Sequence, residues 1–357
     1  MTDEIDIDVL AESFSEFLGA EWPREKAVAF ARGSEVYAAD LWSQISALGW
    51  PALTVPEAMG GLGLQTPAIA ALHESLGASA APLPLLGTTL AVALVESAGN
   101  DVQKDALLTG LADGSVRAAI GGLQGKPLIA DTMTVEGVVA DVLDAPSATL
   151  LLLRAEHAGK PVWIALPANT DGVTIVPTSL ADRSRSSGTV KIEDVKLDAS
   201  QILSPVDGNA LDDELLRLAA IAIAADALGG GNAVLNATIE YMKVREQFDR
   251  VIGSFQALKH RVADHKAALE AARGLLEQAT SPTAGLNKPL LAALTAKQHI
   301  TRIVAEIARD CIQLHGGVGF TSEYVPHIYL KRAKLNEALF GTRSVLLDRI
   351  ADILETA

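Results

Sequence analysis

The chain has 357 residues, enough for two or three domains with full cores. Apolar types make up 49% and charged types 20%, as in a folded rather than a disordered protein, and aromatics at 4% leave a core of Ala, Leu, Val and Ile that suits helix packing. With 44 acidic against 29 basic side chains the formal charge is −15, which excludes a general attraction for nucleic acid, and the single Cys311 excludes intrachain disulfides and a cysteine zinc site.

The acidic start, MTDEIDIDVL, has neither a basic n-region nor an Arg-rich transit pattern, so no targeting peptide is visible. A lone thiol suits a reducing compartment, and a cytoplasmic protein is expected. Residues 1–115 read as a small helical domain. Apolar residues recur at helical spacing at Leu10, Phe14, Phe17 and Leu18, then at Leu41, Ile45 and Leu48. Trp50-Pro51, Val55-Pro56 and Gly60-Gly61-Leu62-Gly63 mark one turn-rich loop, and Ala80-Ala81-Pro82-Leu83-Pro84 marks another.

Residues 116–205 change to short β-branched runs at 132–139, 149–153, 162–166, 173–176 and 189–192, which predict a compact β-barrel or sandwich. Asp182-Arg183-Ser184-Arg185 reads as a surface loop, with a subunit contact as the alternative. Residues 206–357 return to helix. Asp212-Asp213-Glu214 places acid in a first turn, and the pattern to Lys243 is Ala/Leu/Ile-rich nearly all round, as in a helix buried within a bundle. Its longest apolar stretch, 218–225, ends at Asp226 and is too short to span a bilayer. Leu228-Gly229-Gly230-Gly231 permits close helix packing. Further helices are predicted over 255–280, 289–314 and 342–356, broken by Ser281-Pro282 and stopped by Gly316-Gly317. Four long antiparallel helices make a four-helix bundle, so the expected fold is mainly α with a central β domain.

Two segments carry chemistry. In Val244-Arg245-Glu246-Gln247-Phe248-Asp249-Arg250 through Ile252 to Phe255-Gln256, Arg245 closes a helix and offers a planar guanidinium for a phosphate. In Gln313-Leu314-His315-Gly316-Gly317-Val318-Gly319-Phe320, the Gly-Gly pair lets backbone approach a ligand closely, and Gln247 and Gln313 offer amides to a ribose or base edge. Together they read as a site for half of a dinucleotide. Singly, each has a plainer reading: a dipole-complementing Arg, a glycine helix cap, and core rings at Phe248 and Phe255. His260, His265, His299, His315 and His327 have no metal-ligand spacing.

These segments resemble the acyl-CoA dehydrogenase family, whose flavoenzymes carry R-x-Q-F-G-x-x-I-x-x-F-Q and Q-x-x-G-G-x-G-F runs at similar places. Leu48-Gly49-Trp50, Val55-Pro56-Glu57, Gly60-Gly61 and Gly63 extend the resemblance to the N-terminal region. It implies FAD in extended form at a subunit interface, with the C-terminal bundle of one subunit serving the pyrophosphate and adenosine of its neighbour's flavin. Those cofactor roles fall on Arg245, Gln247, Phe248, Gln256, Gln313, Gly316 and Gly317. Asp249 replaces the family's Gly, so a different local turn and an anion pointing away from the phosphates are expected.

The family reaction removes two hydrogens across Cα–Cβ of an acyl-CoA thioester and needs a positioned carboxylate for the α proton. Phe340, in Ala338-Leu339-Phe340-Gly341-Thr342, stands where the family places its Glu, and Ala219 stands at about the alternative position. No catalytic residue is therefore assigned; Glu214 and Glu337 are the nearest acids. The T-E-P-x-A-G-S-D flavin loop is replaced by Ala118-Ala119-Ile120-Gly121-Gly122-Leu123-Gln124-Gly125, Val139-Ala140-Asp141-Val142 occupies about the place of the Trp-Ile-Thr strand, and Trp163-Ile164 belongs to another strand's core. The resemblance thus implies the non-catalytic subunit of an α2β2 bacterial enzyme of the steroid-CoA side-chain type. Its partners would be a homologous catalytic subunit that binds most of the acyl-CoA and, as electron acceptor, an electron-transfer flavoprotein, with no nucleic acid and no membrane. Two alternatives stay open: a self-sufficient homo-oligomer with a displaced base, and a flavin-free binding or structural protein on the same fold.

Overall fold

A computed structural model describes residues 6–123, 127–131, 133–281, 288–321 and 324–355. The chain divides into two compact units. One gathers Met1–Ser34, Thr66–Ala81 and Ala220–Ala357; the other gathers Glu35–Gln65 and Pro82–Ala219.

The second unit holds α3 (Ala39–Ala47), α5 (Leu85–Ala98), α6 (Asp101–Ala112) and eight strands. Asn100 caps α6 in a reciprocal box with Gln103, whose Nε2 also donates to the carbonyls of Ser200 and Ile202 at 2.9 Å and so ties the helix to β8 (Ile202–Leu203). Helix α5 lies on β1 (Ala118–Gly121) so closely that a Cβ on Gly87 would stand 2.0 Å from the Ala118 carbonyl. The other strands are β2 (Leu128–Asp131), β3 (Thr134–Leu143), β4 (Leu150–His157), β5 (Lys160–Pro167), β6 (Val173–Pro177) and β7 (Ser187–Lys196). They form one sheet in the order β6-β7-β3-β2-β4-β5-β8, with β1 paired in parallel to β4. Buried residues from β1, β2, β3, β4, β5 and β7 meet in a single cluster, so the sheet curls around one core as expected of a barrel or sandwich.

Strands β3 to β7 cover the five predicted runs, with Thr132 outside the described residues. Strands β1, β2 and β8 are additional. Trp163 is fully buried on β5, a core ring as read. The Asp182 segment is a surface loop only in part: Arg183 is exposed, but Asp182 and Ser184 are buried, and the Asp182 carboxylate accepts from the Ser184 amide and hydroxyl at 2.8 and 2.7 Å. Both bonds fall on Oδ1 and offset part of the cost of burying the anion.

The first unit holds α1 (Ile7–Glu21), α2 (Arg24–Arg32), α4 (Thr66–Ser79), α8 (Gln256–Thr280), α9 (Pro289–His315), α10 (Pro326–Ala338) and α11 (Arg343–Glu355), together with most of α7 (Gly208–Val244), whose first residues to Ala219 count with the other unit. The apolar stretch at 218–225 lies inside this 37-residue helix. By length and composition α7 is long enough to cross a membrane, a correction to the sequence reading, but 89% of its most apolar window is buried in the fold. Helices α4 and α7 approach to backbone contact. A Cβ on Gly77 would lie 1.9 Å from the Asp226 carbonyl, and one on Gly229 would lie 1.9 Å from that of Glu74. The glycine run therefore serves helix packing. Among the described residues, helix α10 makes a fifth helix in the C-terminal region, where four were expected. Its Arg332 and Asn336 are buried against Asp226 of α7.

Candidate functional site

Helix α7 ends where the Arg245 amide donates to the Tyr241 carbonyl at 2.9 Å. The chain then turns back in a hairpin of β9 (Glu246–Gln247) and β10 (Arg250–Val251), with Gln247 opposite Arg250 and Glu246 opposite Val251. The Ile252 amide closes it onto the Arg245 carbonyl at 2.8 Å. Both residues of the two-residue loop, Phe248 and Asp249, lie in the left-handed region at φ 55° and 59°, the signature of a type I′ turn. The glycine expected at 249 is thus replaced by an aspartate that keeps the tight turn, because Asp tolerates this region better than most residues.

A small apolar cluster holds the hairpin down. Met242 of α7, Ile252 and Leu314 of α9 are buried together, with Tyr241, Phe255, Leu258 and Val262 packed against them. Gly253 fits beneath because a Cβ there would stand 2.8 Å from the Met242 carbonyl. Above the cluster the Tyr241 ring stacks on His315 at 4.4 Å and 20°, and the Tyr241 hydroxyl donates to the His315 carbonyl at 3.3 Å. The His315 Nδ1–H donates to the Cys311 carbonyl at 2.8 Å, and burial pushes the ring's pKa down, favouring the neutral form that stacks here. These contacts bring the end of α7 and the end of α9 together, and with them the two segments that sequence reading singled out 57 or more positions apart (Arg245, Gln256 and Gln313).

All seven predicted cofactor residues, Arg245, Gln247, Phe248, Gln256, Gln313, Gly316 and Gly317, are exposed. The Arg245 guanidinium has no partner among the described residues. Phe248 is 87% exposed, so it is not a core ring; its edge meets half-buried Phe255 at 6.2 Å. Gly316 ends α9 at φ 66° and ψ −147°, a backbone open essentially to glycine alone. At Gly317 a Cβ would find nothing within 4 Å, so nothing in this chain demands a glycine there. An unpaired guanidinium, three side-chain amides, an exposed ring and an open glycine backbone form a donor set that fits the pyrophosphate and nucleoside of a dinucleotide.

The two positions that the sequence resemblance gives to a catalytic base carry no carboxylate. Phe340 is half-buried at φ 51°, and Ala219 is fully buried. Glu214 is paired with Arg217 at 2.7 and 2.8 Å, and Glu337 with Lys334 at 2.6 Å. The Val139–Val142 stretch of β3 carries a register shift, with Asp141 at φ 55°. Beneath the Phe340 turn lies Lys297, fully buried on α9, whose Nζ donates to the Gly341 carbonyl at 2.9 Å. Burial lowers its pKa from 10.5 to about 8. Sequence reading missed Tyr241, His315 as its stacking partner, and Gly253. The one available signal was an aromatic residue four positions before Arg245 and a histidine just before Gly316.

Residues 6–115 match the N-terminal domain of the acyl-CoA dehydrogenases, and residues 207–355 match their C-terminal domain. The chain belongs to the acyl-CoA dehydrogenase family, whose members bind FAD. It is 34% identical to the acyl-CoA dehydrogenase IpdE2 of Mycobacterium tuberculosis over 316 residues, covering 88% of this chain and 86% of that one. Among solved structures, a chain of the ChsE4–ChsE5 complex from Mycobacterium tuberculosis shares the fold, with a TM-score of 0.89 over 100% of this chain and 99% of that one at 24% identity. A variant of the Tcur3481–Tcur3483 steroid ACAD gives a TM-score of 0.86 at 26% identity over 98% of each chain.

Proposed function

We propose that this chain is the non-catalytic subunit of a heteromeric, FAD-dependent acyl-CoA dehydrogenase of α2β2 type. It holds the ADP portion of a flavin whose ring sits on a homologous partner. The observation that carries this reading is an asymmetry. The two C-terminal segments meet at one end of the first unit with their polar side chains exposed and the Arg245 guanidinium unpaired among the described residues, while Phe340 and Ala219 occupy the positions where the family resemblance puts a base. The partner supplies the carboxylate that takes the α proton and binds most of the acyl-CoA. FAD, when bound, accepts the hydride. In this chain Arg245 neutralises and orients the pyrophosphate, Gln247, Gln256 and Gln313 donate to it or to the nucleoside, and Gly316-Gly317 admits close backbone approach. A steroid side-chain thioester as substrate is supported by the 26% identity to a steroid ACAD. The family chemistry points to an electron-transfer flavoprotein as acceptor.

The test is co-expression with a full-length family member that carries the glutamate and the flavin loops. A yellow complex with one FAD per pair of unlike subunits is expected, and Arg245→Ala in this chain should weaken FAD retention by about 10- to 150-fold, the worth of a charge-assisted phosphate contact at about 1.5–3 kcal/mol. Arg245→Lys should recover part of it. A purified preparation of this chain alone that oxidises an acyl-CoA would refute the proposal.

A further inference from the structure

Asp249 has no place in the reading above, since an anion beside a pyrophosphate site is repelled by it. Its carboxylate is exposed and has no partner among the described residues. The obvious partner is occupied elsewhere: the Arg250 guanidinium lies over the Phe255 ring, 4.0 Å from its centroid. The turn itself favours glycine at this position, as both loop residues have positive φ. Within five residues the hairpin thus presents, in order, an unpaired guanidinium at Arg245, a solvent-facing ring at Phe248 and an unpaired carboxylate at Asp249. Those are the three complementary chemistries of an adenosine diphosphate. A cation takes the phosphates, an aromatic face takes the base, and a carboxylate accepts from a vicinal diol, a contact proteins use for adenosine ribose elsewhere.

Resting on the proposed function, we infer that Asp249 accepts hydrogen bonds from the adenosine ribose hydroxyls of the bound dinucleotide, and so makes this half-site selective for a ribonucleotide. On this reading the acidic side chain serves the ribose and not the pyrophosphate that Arg245 holds. The hairpin supplies both contacts because only three residues, Glu246, Gln247 and Phe248, separate Arg245 from Asp249.

The test is calorimetric titration of the full chain with ADP and with 2′,3′-dideoxy-ADP, for the wild type and for Asp249→Gly, Asp249→Asn and Arg245→Ala. Glycine takes positive φ freely, so Asp249→Gly should melt at or above the wild-type temperature, and folding does not confound the comparison. The wild type should prefer ADP by about tenfold or more, the worth of a hydrogen bond to a charged group. Asp249→Gly should weaken ADP alone until the two nucleotides bind alike, with Asp249→Asn in between. Arg245→Ala should weaken both nucleotides by the same factor. Equal wild-type affinity for the two nucleotides overturns the inference, as does an Asp249→Gly variant that binds both more tightly; the carboxylate would then only repel phosphate or face a cation of the partner. In either case loss of binding in Arg245→Ala leaves the proposed function standing. Binding of both nucleotides that ignores Arg245→Ala sinks that function, and a wild-type chain that binds neither sinks both.

Discussion

Replacing Arg332 with methionine isolates the worth of the ion pair inside the first unit. Arg332 and Asp226 are 4% and 1% exposed at their side chains. The guanidinium reaches both carboxylate oxygens, Nη2 to Oδ2 at 2.5 Å and Nε to Oδ1 and Oδ2 at 3.0 and 3.2 Å, and the Asn336 amide donates to Oδ1 at 2.7 Å. Methionine matches the arginine stem but removes every guanidinium bond. The carboxylate then remains inside α7 without its cation, and breaking a buried pair in this way costs about 3–5 kcal/mol. The double variant Asp226→Leu/Arg332→Met removes both charges and fills the space with apolar atoms, so most of the loss should return. Native-state hydrogen exchange on the assembled protein, followed by mass spectrometry, reads the effect where it arises. Amides of α7 and α10 should lose protection in Arg332→Met by that amount and regain it in the double variant. If Arg332→Met stays within about 1 kcal/mol of wild type, the figure for an exposed pair, the guanidinium is not compensating a buried charge and the reasoning fails.

Lys297 gives a pH dependence of known sign. Its pKa in the folded chain is about 8 against an ordinary 10.5, so the folded state releases this proton first as pH rises. Stability is gained between pH 8 and 10.5, by about 3 kcal/mol at full extent, and that gain is absent below pH 8. Urea denaturation across this range should show the rise in wild type and a flatter profile in Lys297→Met. Gly253→Ala places a methyl against the Met242 carbonyl, where only 2.8 Å is available. The hairpin must shift, at a cost of about 1–3 kcal/mol. Differential scanning calorimetry should show the lower Tm, and FAD release from the complex should quicken while the rest of the fold, by circular dichroism, is unchanged.

The parts of the fold that were legible are those where burial follows one rule along the chain. Apart from Asp226, the stretch of α7 around Leu218–Leu228 is Ala, Leu and Ile on every face, and the structure buries it on every face. Helix α10 escaped notice because its buried side includes Arg332 and Asn336 beside Ile328, Tyr329 and Ala333. A polar pair satisfied by Asp226, 106 and 110 positions away, erases the apolar stripe that periodicity relies on. Strand β1, Ala-Ala-Ile-Gly, is buried at all four positions and so shows no alternation. Asp182 escapes sequence reading for a similar reason: a buried charge bonded within its own loop looks solvated in sequence. At the site, Arg245 and Gly316-Gly317 were found through their spacing and the family resemblance. The Tyr241–His315 stack that joins them was not, because a contact between the ends of two helices leaves no periodic trace.

Phe248 and Asp249 connect these observations. Among the described residues, several large apolar side chains are exposed and several non-glycine residues have positive φ, but Phe248 alone is both. Here a phenylalanine is 87% exposed at φ 55°, followed by an aspartate at φ 59°. Each such non-glycine conformation costs about 1–3 kcal/mol relative to a relaxed backbone, so Asn-Gly in this turn would fold more readily. The hairpin is kept rigid all the same, by Met242, Ile252 and Leu314 beneath it and by the Gly253 contact behind it. A turn that is strained, rigid and apolar at its tip is stabilised by whatever binds it folded, through mass action alone. Under the proposed function, that linkage would let a partner subunit and its nucleotide raise the stability of this chain by binding the exposed hairpin tip.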